Sequence, residues 1–314
     1  MISLEAVTSS LIFTLLLVGS TAAQEDFPKD FYDLKIEKMG GGYRFADGPV
    51  WTPDRKLLFA EVPSSTIYIW NPGQKIEQLR GNSNGAQAMT FDHQERLYTC
   101  ESKARRLVRV DKKGRLEVLA DKWEGKRLNG PNDVVVRKDG NVYFTDSVFG
   151  AAYEKRDLDF NGVYRIGAKG EYQLIAKWKG RPNGIAISPN GSRLYVTNSD
   201  ERTIVEFDLD KAGVATNERL LTKGIHGVPG GVRCDTKGNL YVAAAGISIH
   251  APDGKLIREV ELADGPSNLA FGENDLQSLF VTTRHSLYRV RVPFKGWVPY
   301  LQPVGPNLPQ QIGG

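Results

Sequence analysis

Cysteine is scarce in this sequence, and the charges show little bias. Of 314 residues only two are cysteines, Cys100 and Cys234. Two cysteines exclude a disulfide scaffold and match no metal-ligand spacing, so we expect two buried free thiols, with a single bridge as the alternative. The 41 basic and 37 acidic residues are scattered along the chain, which excludes the basic cluster of a nucleic-acid-binding protein. With 25% charged and 40% hydrophobic residues, disordered and multi-span membrane classes are excluded as well.

Several familiar enzyme motifs are also absent. The sequence holds no glycine-rich phosphate loop, no G-x-S-x-G elbow and no H-E-x-x-H motif. The histidines have no metal-binding spacing and are predicted to be structural; they are His93, His226, His250 and His285. What is abundant is 33 Gly, 16 Pro, 13 Phe, 12 Tyr and 5 Trp. This composition favours many short strands joined by turns, and no useful run of helical periodicity interrupts it, so we predict an all-β fold.

Residues 1–23 are predicted to be a secretory signal peptide. An apolar stretch at residues 11–18 precedes the small residues Thr21, Ala22 and Ala23, a pattern typical of cleavage after Ala23. The stretch is shorter than the ~20 apolar residues of a membrane-spanning helix. The segment before it carries Glu5 and no Lys or Arg, so an uncleaved anchor is the alternative. We expect a secreted or periplasmic protein with no membrane contact after cleavage.

An internal repeat organises the rest of the chain. Six apolar or aromatic strand segments begin 39 to 52 residues apart, at Leu57, Leu97, Val142, Leu194, Leu240 and Leu279. A period of about 40 to 50 residues with several short strands per repeat is the signature of a β-propeller. We therefore predict a single six-bladed β-propeller over residues 24–302. Residues 34–39 are expected to close the ring against the last blade, and residues 303–314 to form a flexible tail.

Polar residues recur ten to thirteen positions before each repeat strand. They are Asp47, Asn84, Asn132, Asn183 and Asn268, with Gly230 in the fifth repeat. Because blades are related by near-rotational symmetry, we expect these positions to meet at one end of the central channel. One carboxylate and four amides offer the oxygen ligands that a hard divalent cation such as Ca²⁺ takes. The alternative is that each Asn only shapes a turn, although a turn role does not require a recurring offset.

Long motifs follow one another in order: ADGPVW, EGKRLNGPNDVVVRKDGNVYFTDS, RPNGIAISPNGSRLYVTNS and LAFGENDLQSLFVTT. In sequence and spacing they resemble the gluconolactonase and regucalcin family of six-bladed propellers, and the resemblance covers residues 40–292. It implies a divalent metal, Ca²⁺ or Zn²⁺, at the channel mouth. It also implies hydrolysis of a small-molecule substrate, a sugar-acid lactone.

The resemblance implies site residues one by one. Asn132 and Asn183 match two metal-binding asparagines, and Asp47 stands where the family has a glutamate that is longer by one methylene. These three are predicted to be both metal ligands and catalytic residues. Arg127 matches a substrate-holding arginine, and Glu101 matches a residue near the site, so both are predicted to bind substrate.

Gly230 departs from the family, which has there an aspartate regarded as ligand and general base. We therefore expect weak metal binding, because affinity follows the charge of the ligands. Asp146 and Glu101 are the nearest substitutes for the base, with a structural role as the alternative for each. We expect Gly230→Asp to restore ligand and base with little cost to the fold.

Three functions remain open from the sequence. The first is an exported lactonase of the gluconolactonase type. The second is a propeller that binds a sugar or partner without turnover because its metal site has decayed. The third is hydrolysis of another ester or phosphotriester, since a fold does not decide the substrate.

Overall fold

The computed structural model describes residues 34–149 and 156–303. Within these ranges the chain forms six four-stranded antiparallel sheets and one two-stranded hairpin, with no α-helix. The predicted six-bladed β-propeller is confirmed. The predicted signal peptide and, apart from residue 303, the predicted tail lie outside the described residues. Across the described ranges no helix has the length and apolar character needed to cross a membrane.

Each blade is built from four strands that run outward from the channel. Blade 1 comprises β2 (Ala46–Trp51), β3 (Leu57–Glu61), β4 (Thr66–Trp70) and β5 (Ile76–Arg80). Blade 2 comprises β6 (Ala86–Phe91), β7 (Leu97–Glu101), β8 (Arg106–Val110) and β9 (Leu116–Ala120). Blade 3 comprises β12 (Pro131–Val136), β13 (Val142–Asp146), β14 (Asn161–Ile166) and β15 (Tyr172–Trp178). Between blades 2 and 3 lies the hairpin of β10 (Lys122–Trp123) and β11 (Lys126–Arg127).

The remaining blades repeat the same order. Blade 4 comprises β16 (Pro182–Ile187), β17 (Arg193–Asn198), β18 (Thr203–Leu209) and β19 (Ala215–Lys223). Blade 5 comprises β20 (Val232–Cys234), β21 (Leu240–Ala243), β22 (Ile247–His250) and β23 (Leu256–Val260). Blade 6 comprises β24 (Pro266–Gly272), β25 (Ser278–Thr283), β26 (Ser286–Arg291) and, outermost, β1 (Ile36–Gly41). Each inner strand contacts the inner strands of both neighbouring blades, so the ring is closed.

The strands found from the sequence repeat are the second strands of the blades. β3 and β13 are buried along their whole length, because each lies inside its sheet while both faces pack against neighbouring blades. A strand buried on both faces reads as a continuous apolar run rather than an alternation. The outer strands β5 and β9 are mostly exposed and give a weaker signal.

The ring is closed by β1, the first strand of the described residues, as predicted. β1 pairs antiparallel with β26, from Ile36 opposite Val290 to Gly41 opposite Ser286. Blade 6 therefore contains strands from both ends of the domain. This pairing joins segments about 250 residues apart in sequence and protects an edge that would otherwise be open.

The C-terminal segment, residues 294–302, covers one end of the channel. Trp297 donates its backbone N–H to the Cys234 carbonyl at 2.8 Å, and the Tyr300 hydroxyl donates to the Trp51 carbonyl at 2.6 Å. A cavity of about 50 Å³ remains between this segment and the inner strands, and its lining is mostly apolar. Substrate access is therefore expected at the opposite end.

Candidate functional site at the channel mouth

The inner strands all begin at the end of the channel that the C-terminal segment leaves uncovered, which we call the mouth. In five blades the second position of the inner strand, and in blade 5 Gly230, which lies two residues before β20, form one ring. We call it the mouth ring; it consists of Asp47, Gln87, Asn132, Asn183, Gly230 and Ser267. The backbone supports this register beyond the strand ends. The Gly184 N–H donates to the Gly230 carbonyl at 3.1 Å, and the Gly231 N–H donates in the same way to the Ser267 carbonyl at 2.9 Å.

Two of the asparagines predicted for this ring are placed differently. Asn84 lies before β6, and its side-chain amide donates to Glu101 Oε2 at 3.1 Å. Asn268 lies one residue beyond the ring position and uses Oδ1 to accept its neighbour's N–H, that of Leu269, at 2.9 Å. The predicted alignment was wrong at these two positions, where the ring residues are Gln87 and Ser267.

Asp47 is the carboxylate of the mouth ring. It is buried, and its Oδ1 accepts the Gly48 N–H at 2.7 Å. Burial raises the pKa of Asp47 to about 7 and is the largest effect, and the Asp133 charge also raises this pKa. The Gly48 hydrogen bond, Asn268 and Arg233 act in the opposite direction and lower it. No ion pair of Asp47 is found in the described part of the chain, so its charge is largely uncompensated.

Asn132 and Asn183 hold their amides in a fixed orientation. Asn132 Nδ2 donates to Gln87 Oε1 at 2.7 Å, and Asn183 Nδ2 donates to Ser199 Oγ at 3.0 Å. With both NH₂ groups engaged, and no hydrogen bond to either Oδ1 found among the described residues, the carbonyl oxygens remain available. They are the side of each amide that a cation or a hydroxyl donor can use.

Threonines on the second strands connect neighbouring positions at the mouth. Thr145 Oγ1 accepts the Asp133 N–H at 3.0 Å and donates to the Asn183 carbonyl at 2.6 Å. Thr197 Oγ1 accepts the Gly184 N–H at 2.8 Å and donates to the Gly230 carbonyl at 2.7 Å. Each hydroxyl thus ties the start of one inner strand to the next blade.

Gly230 is more tightly enclosed than the sequence indicates. Its N–H donates to the Ala243 carbonyl at 2.7 Å, and a Cβ built on it would lie 2.2 Å from the Ser267 carbonyl oxygen. That neighbour is backbone and cannot rotate away. The expectation that Gly230→Asp costs the fold little is therefore wrong, because blade 6 occupies the space of the side chain.

The two predicted substrate-binding residues are placed in different surroundings. Arg127 lies on β11, exposed, and its Nη2 donates to the Ala104 carbonyl at 2.8 Å. Glu101 is buried, and its carboxylate accepts from Arg106 Nε at 2.7 Å in addition to Asn84. Its Oε1 also lies 3.9 Å from Arg80 of blade 1. The carboxylate is thus held by protein partners, so its substrate-binding role stays a prediction that the geometry does not favour.

Asp146, the other substitute base, is also committed to the fold. It is fully buried and accepts the backbone N–H groups of Asn129 and Gly130 at 2.8 and 2.7 Å. Burial raises the pKa of Asp146 to about 6, against the lowering effect of those two hydrogen bonds. It shapes the loop that leads to Asn132, and the structural alternative is the one the contacts favour.

The two cysteines have the roles predicted for them, and the contacts of His250 favour its predicted structural role; for the other histidines that role stays a prediction. Cys100 and Cys234 are both buried free thiols, as expected. His250 is buried against Ser248 and the Gly254 carbonyl. His226 is largely exposed, and its Nδ1 lies 3.7 Å from a carboxylate oxygen of Glu259.

Sequence reasoning missed a buried ion pair one layer below the mouth ring. Asp133 on β12 and Arg233 on β20 lie 100 residues apart, and Arg233 Nη1 is 3.0 Å from Asp133 Oδ2. Only the repeat register gave a signal: Asp133 follows Asn132, and Arg233 lies three residues after Gly230. Register alone does not reveal that two non-neighbouring blades pair across the channel.

The donor set suits an oxygen-ligated divalent cation. Asp47, Asn132 and Asn183 offer one carboxylate and two amide carbonyls from equivalent positions of blades 1, 3 and 4. In the described ranges no group of three or more His, Cys, Asp or Glu side chains is placed to hold a metal, so a cation would depend on the amides. The buried, unpaired charge of Asp47 is complementary to such an ion.

Comparisons with known proteins agree with this architecture. Residues 45–285 match the family described as the SMP-30/Gluconolactonase/LRE-like region. A gluconolactonase from Zymomonas mobilis is 32% identical over 288 residues, which cover 82% of this chain and 81% of the relative. The solved gluconolactonase of Xanthomonas campestris has a TM-score of 0.77 at 26% identity and covers 84% of this chain and 91% of its own. Regucalcin of Agrobacterium tumefaciens, a calcium-binding protein, has a TM-score of 0.66 at 17% identity and covers 82% and 94%; this last likeness concerns the fold alone.

Proposed function

The chain belongs to the SMP-30/gluconolactonase/LRE-like family of lactone-hydrolysing enzymes, and from that premise we propose that it opens a sugar-acid lactone at the mouth ring with the help of a divalent cation. The observation that carries the proposal is the register of Asp47, Asn132 and Asn183 on three inner strands, with both amide oxygens available. The gluconolactonase names of the relatives support the substrate class.

The cation we propose is Ca²⁺ rather than Zn²⁺. All available donors are oxygens, which Ca²⁺ takes at six to eight positions, whereas the common zinc sites include at least one His or Cys ligand. When bound, such an ion would polarise the lactone carbonyl and lower the pKa of a coordinated water.

The protein groups would bind and orient the substrate around this point. Asp47 supplies the charge that holds the cation, and the two asparagines supply neutral oxygens in fixed orientations. Arg127 lies exposed on β11 and carries a planar fork of donors for sugar hydroxyls or for the product carboxylate. Because the C-terminal segment covers the far end of the channel, we propose the mouth as the route of entry.

Gly230 supplies no carboxylate to take a proton from the attacking water. That proton therefore passes to solvent or to a buffer base, and a missing general base typically costs ~10²- to 10⁴-fold in rate. We accordingly propose a slow lactonase, whose rate at constant pH rises with the concentration of buffer base. A rate that is independent of buffer would show that a protein group takes the proton.

Hydrolysis of gluconolactone by the purified protein, corrected for spontaneous opening, tests the proposal. We expect activity that falls on chelation and returns with Ca²⁺. A matched pair of variants is available because Pro-Asn-Gly occurs twice: Asn183 lies in the mouth ring, whereas Asn190 accepts from Ser188 Oγ at 2.7 Å in a turn. Asn183→Ala should lose activity and Asn190→Ala should keep it.

Other outcomes would point to other functions. Full activity in chelator would remove the cation from the proposal. Sugar binding without turnover would favour the binding propeller, for which the enclosed Gly230 is the supporting observation.

We also propose export by cleavage after Ala23, which the small residues before that position support. N-terminal sequencing of the protein from the cell exterior should give Gln24 as the first residue. Retention of residues 1–23 in a membrane fraction would support the uncleaved anchor instead.

A further inference from the structure

The ion pair below the mouth ring connects three blades. Arg233 Nη1 and Nη2 donate to the two carboxylate oxygens of Asp133 at 3.0 and 3.3 Å, which makes the pair bidentate. Arg233 Nη1 also lies 2.7 Å from the Val232 carbonyl and 3.4 Å from the Ile185 carbonyl. One guanidinium from blade 5 thus contacts blade 4 and neutralises a carboxylate of blade 3.

Asp133 is fully buried and is surrounded by donors. Its Oδ1 accepts the Val134 N–H at 2.8 Å and its Oδ2 lies 3.3 Å from the Ile185 N–H. The backbone N–H of Asp133 donates to Thr145 Oγ1 at 3.0 Å. The side chain is therefore held in a fixed position, next in sequence to Asn132 of the mouth ring.

The pair lies next to the mouth ring. Asp133 follows Asn132 directly on β12, and Arg233 of blade 5 binds Asp133 while also contacting the Ile185 carbonyl of blade 4. With Asp47 ionised, as it would be around a bound cation, Asp47, Asp133 and Arg233 together carry one net negative charge, compared with two in the absence of Arg233.

We propose that Arg233 and Asp133 are positioning residues that set the net charge beneath the mouth ring, and that Arg233 weakens cation binding there by cancelling the second carboxylate. This inference rests on the proposed function. It predicts opposite effects from the two halves of one ion pair, because losing Arg233 leaves a net charge of −2 and losing the Asp133 carboxylate leaves zero. Loss of a merely structural pair would weaken binding in both cases.

Calorimetric titration of the full chain with CaCl₂ separates these cases. Arg233→Met should tighten Ca²⁺ binding and Asp133→Asn should weaken it. Each change alters the net charge next to the mouth ring by one unit, and we expect each to change the dissociation constant on the order of tenfold. Either single change leaves an unpaired buried charge and can cost ~3–5 kcal/mol of stability. The neutral pair Asp133→Asn with Arg233→Met avoids that cost, restores the net charge of −1 and should bind Ca²⁺ within about threefold of the wild type.

The control is Arg219→Met, which removes one positive charge from the outer strand of blade 4, where Arg219 pairs with Asp208 and Glu206. Its Ca²⁺ affinity should be unchanged. Single variants that move in the same direction, or a neutral pair that loses binding, would overturn the inference. If one of the two single variants does not fold, the other is compared with the neutral pair. Equal Ca²⁺ affinities of these two proteins would also overturn the inference. A wild type and an Arg233→Met variant that both bind no Ca²⁺ would instead refute the cation in the proposed function, and the inference with it.

Discussion

Gly230 offers a direct test of whether the contact between blades 5 and 6 is as close as described. The perturbation is Gly230→Ala, which adds only a Cβ, compared with Gly230→Asp, which adds the family's carboxylate. The backbone at Gly230 is not among the positive-φ positions, so conformational preference does not oppose either substitution. The opposing force is steric, since the Cβ would lie 2.2 Å from the Ser267 carbonyl oxygen.

The magnitude follows from what has to move. Relief requires a backbone shift of more than 1 Å between strands that are joined by the Gly231 N–H to Ser267 carbonyl hydrogen bond of 2.9 Å. Overpacking of this kind costs about 1–3 kcal/mol, and a weakened buried hydrogen bond adds about 1 kcal/mol. We therefore expect Gly230→Ala to lower the free energy of unfolding by about 2–4 kcal/mol.

Urea denaturation of the two variants and the wild type provides the measurement, and Ca²⁺ titration completes it. The difference between Asp and Ala isolates the carboxylate from the Cβ, so a ligand role appears as tighter Ca²⁺ binding in Gly230→Asp than in Gly230→Ala. A Gly230→Ala variant within about 0.5 kcal/mol of the wild type would refute the steric reasoning.

Three further predictions concern groups outside the mouth ring. Burial raises the pKa of Asp146 to about 6 from its usual 3.8. This group therefore stabilises the fold most below pH 4, and its contribution of about 3 kcal/mol is lost as the pH rises through 6. Asp146→Asn should remove this component of the pH dependence of the unfolding free energy, measured by urea denaturation. Tyr300→Phe deletes the hydroxyl that donates to the Trp51 carbonyl, and should lower the unfolding free energy by about 1 kcal/mol while leaving lactone hydrolysis unchanged. Glu101→Gln should lower stability through its weakened contact with Arg106, and an isolated rise in KM at unchanged stability would restore its predicted role in substrate binding.

The strands were predictable where burial dominates. Second strands such as β3 and β13 are apolar throughout, so the repeat located them in every blade, and the closing role of β1 followed from the segment left over. The inner strands were harder, because their starts were identified by residue type. Asn84 was preferred to Gln87 as the amide of blade 2, although Gln87 lies at the ten-residue offset shared by Asp47.

The environment of the ring was beyond the sequence for a different reason. The enclosure of Gly230 depends on a carbonyl of the next blade, and the partner of Arg233 lies two blades away. Both are contacts between segments far apart in sequence, and their distances depend on how the blades pack. No local pattern encodes a separation of 2.2 Å or 3.0 Å.

Blade 5 accounts for both of the features that reduce negative charge at the mouth. Gly230, two residues before β20, brings no carboxylate to the ring, and three residues later Arg233 neutralises Asp133. The two features differ in what their reversal demands, since a carboxylate at position 230 requires the backbones of blades 5 and 6 to separate, whereas the charge of Arg233 can be removed without any such shift. The route to tighter cation binding that requires no separation of two blades therefore runs through position 233, and its cost is the unpaired carboxylate of Asp133 rather than a steric clash.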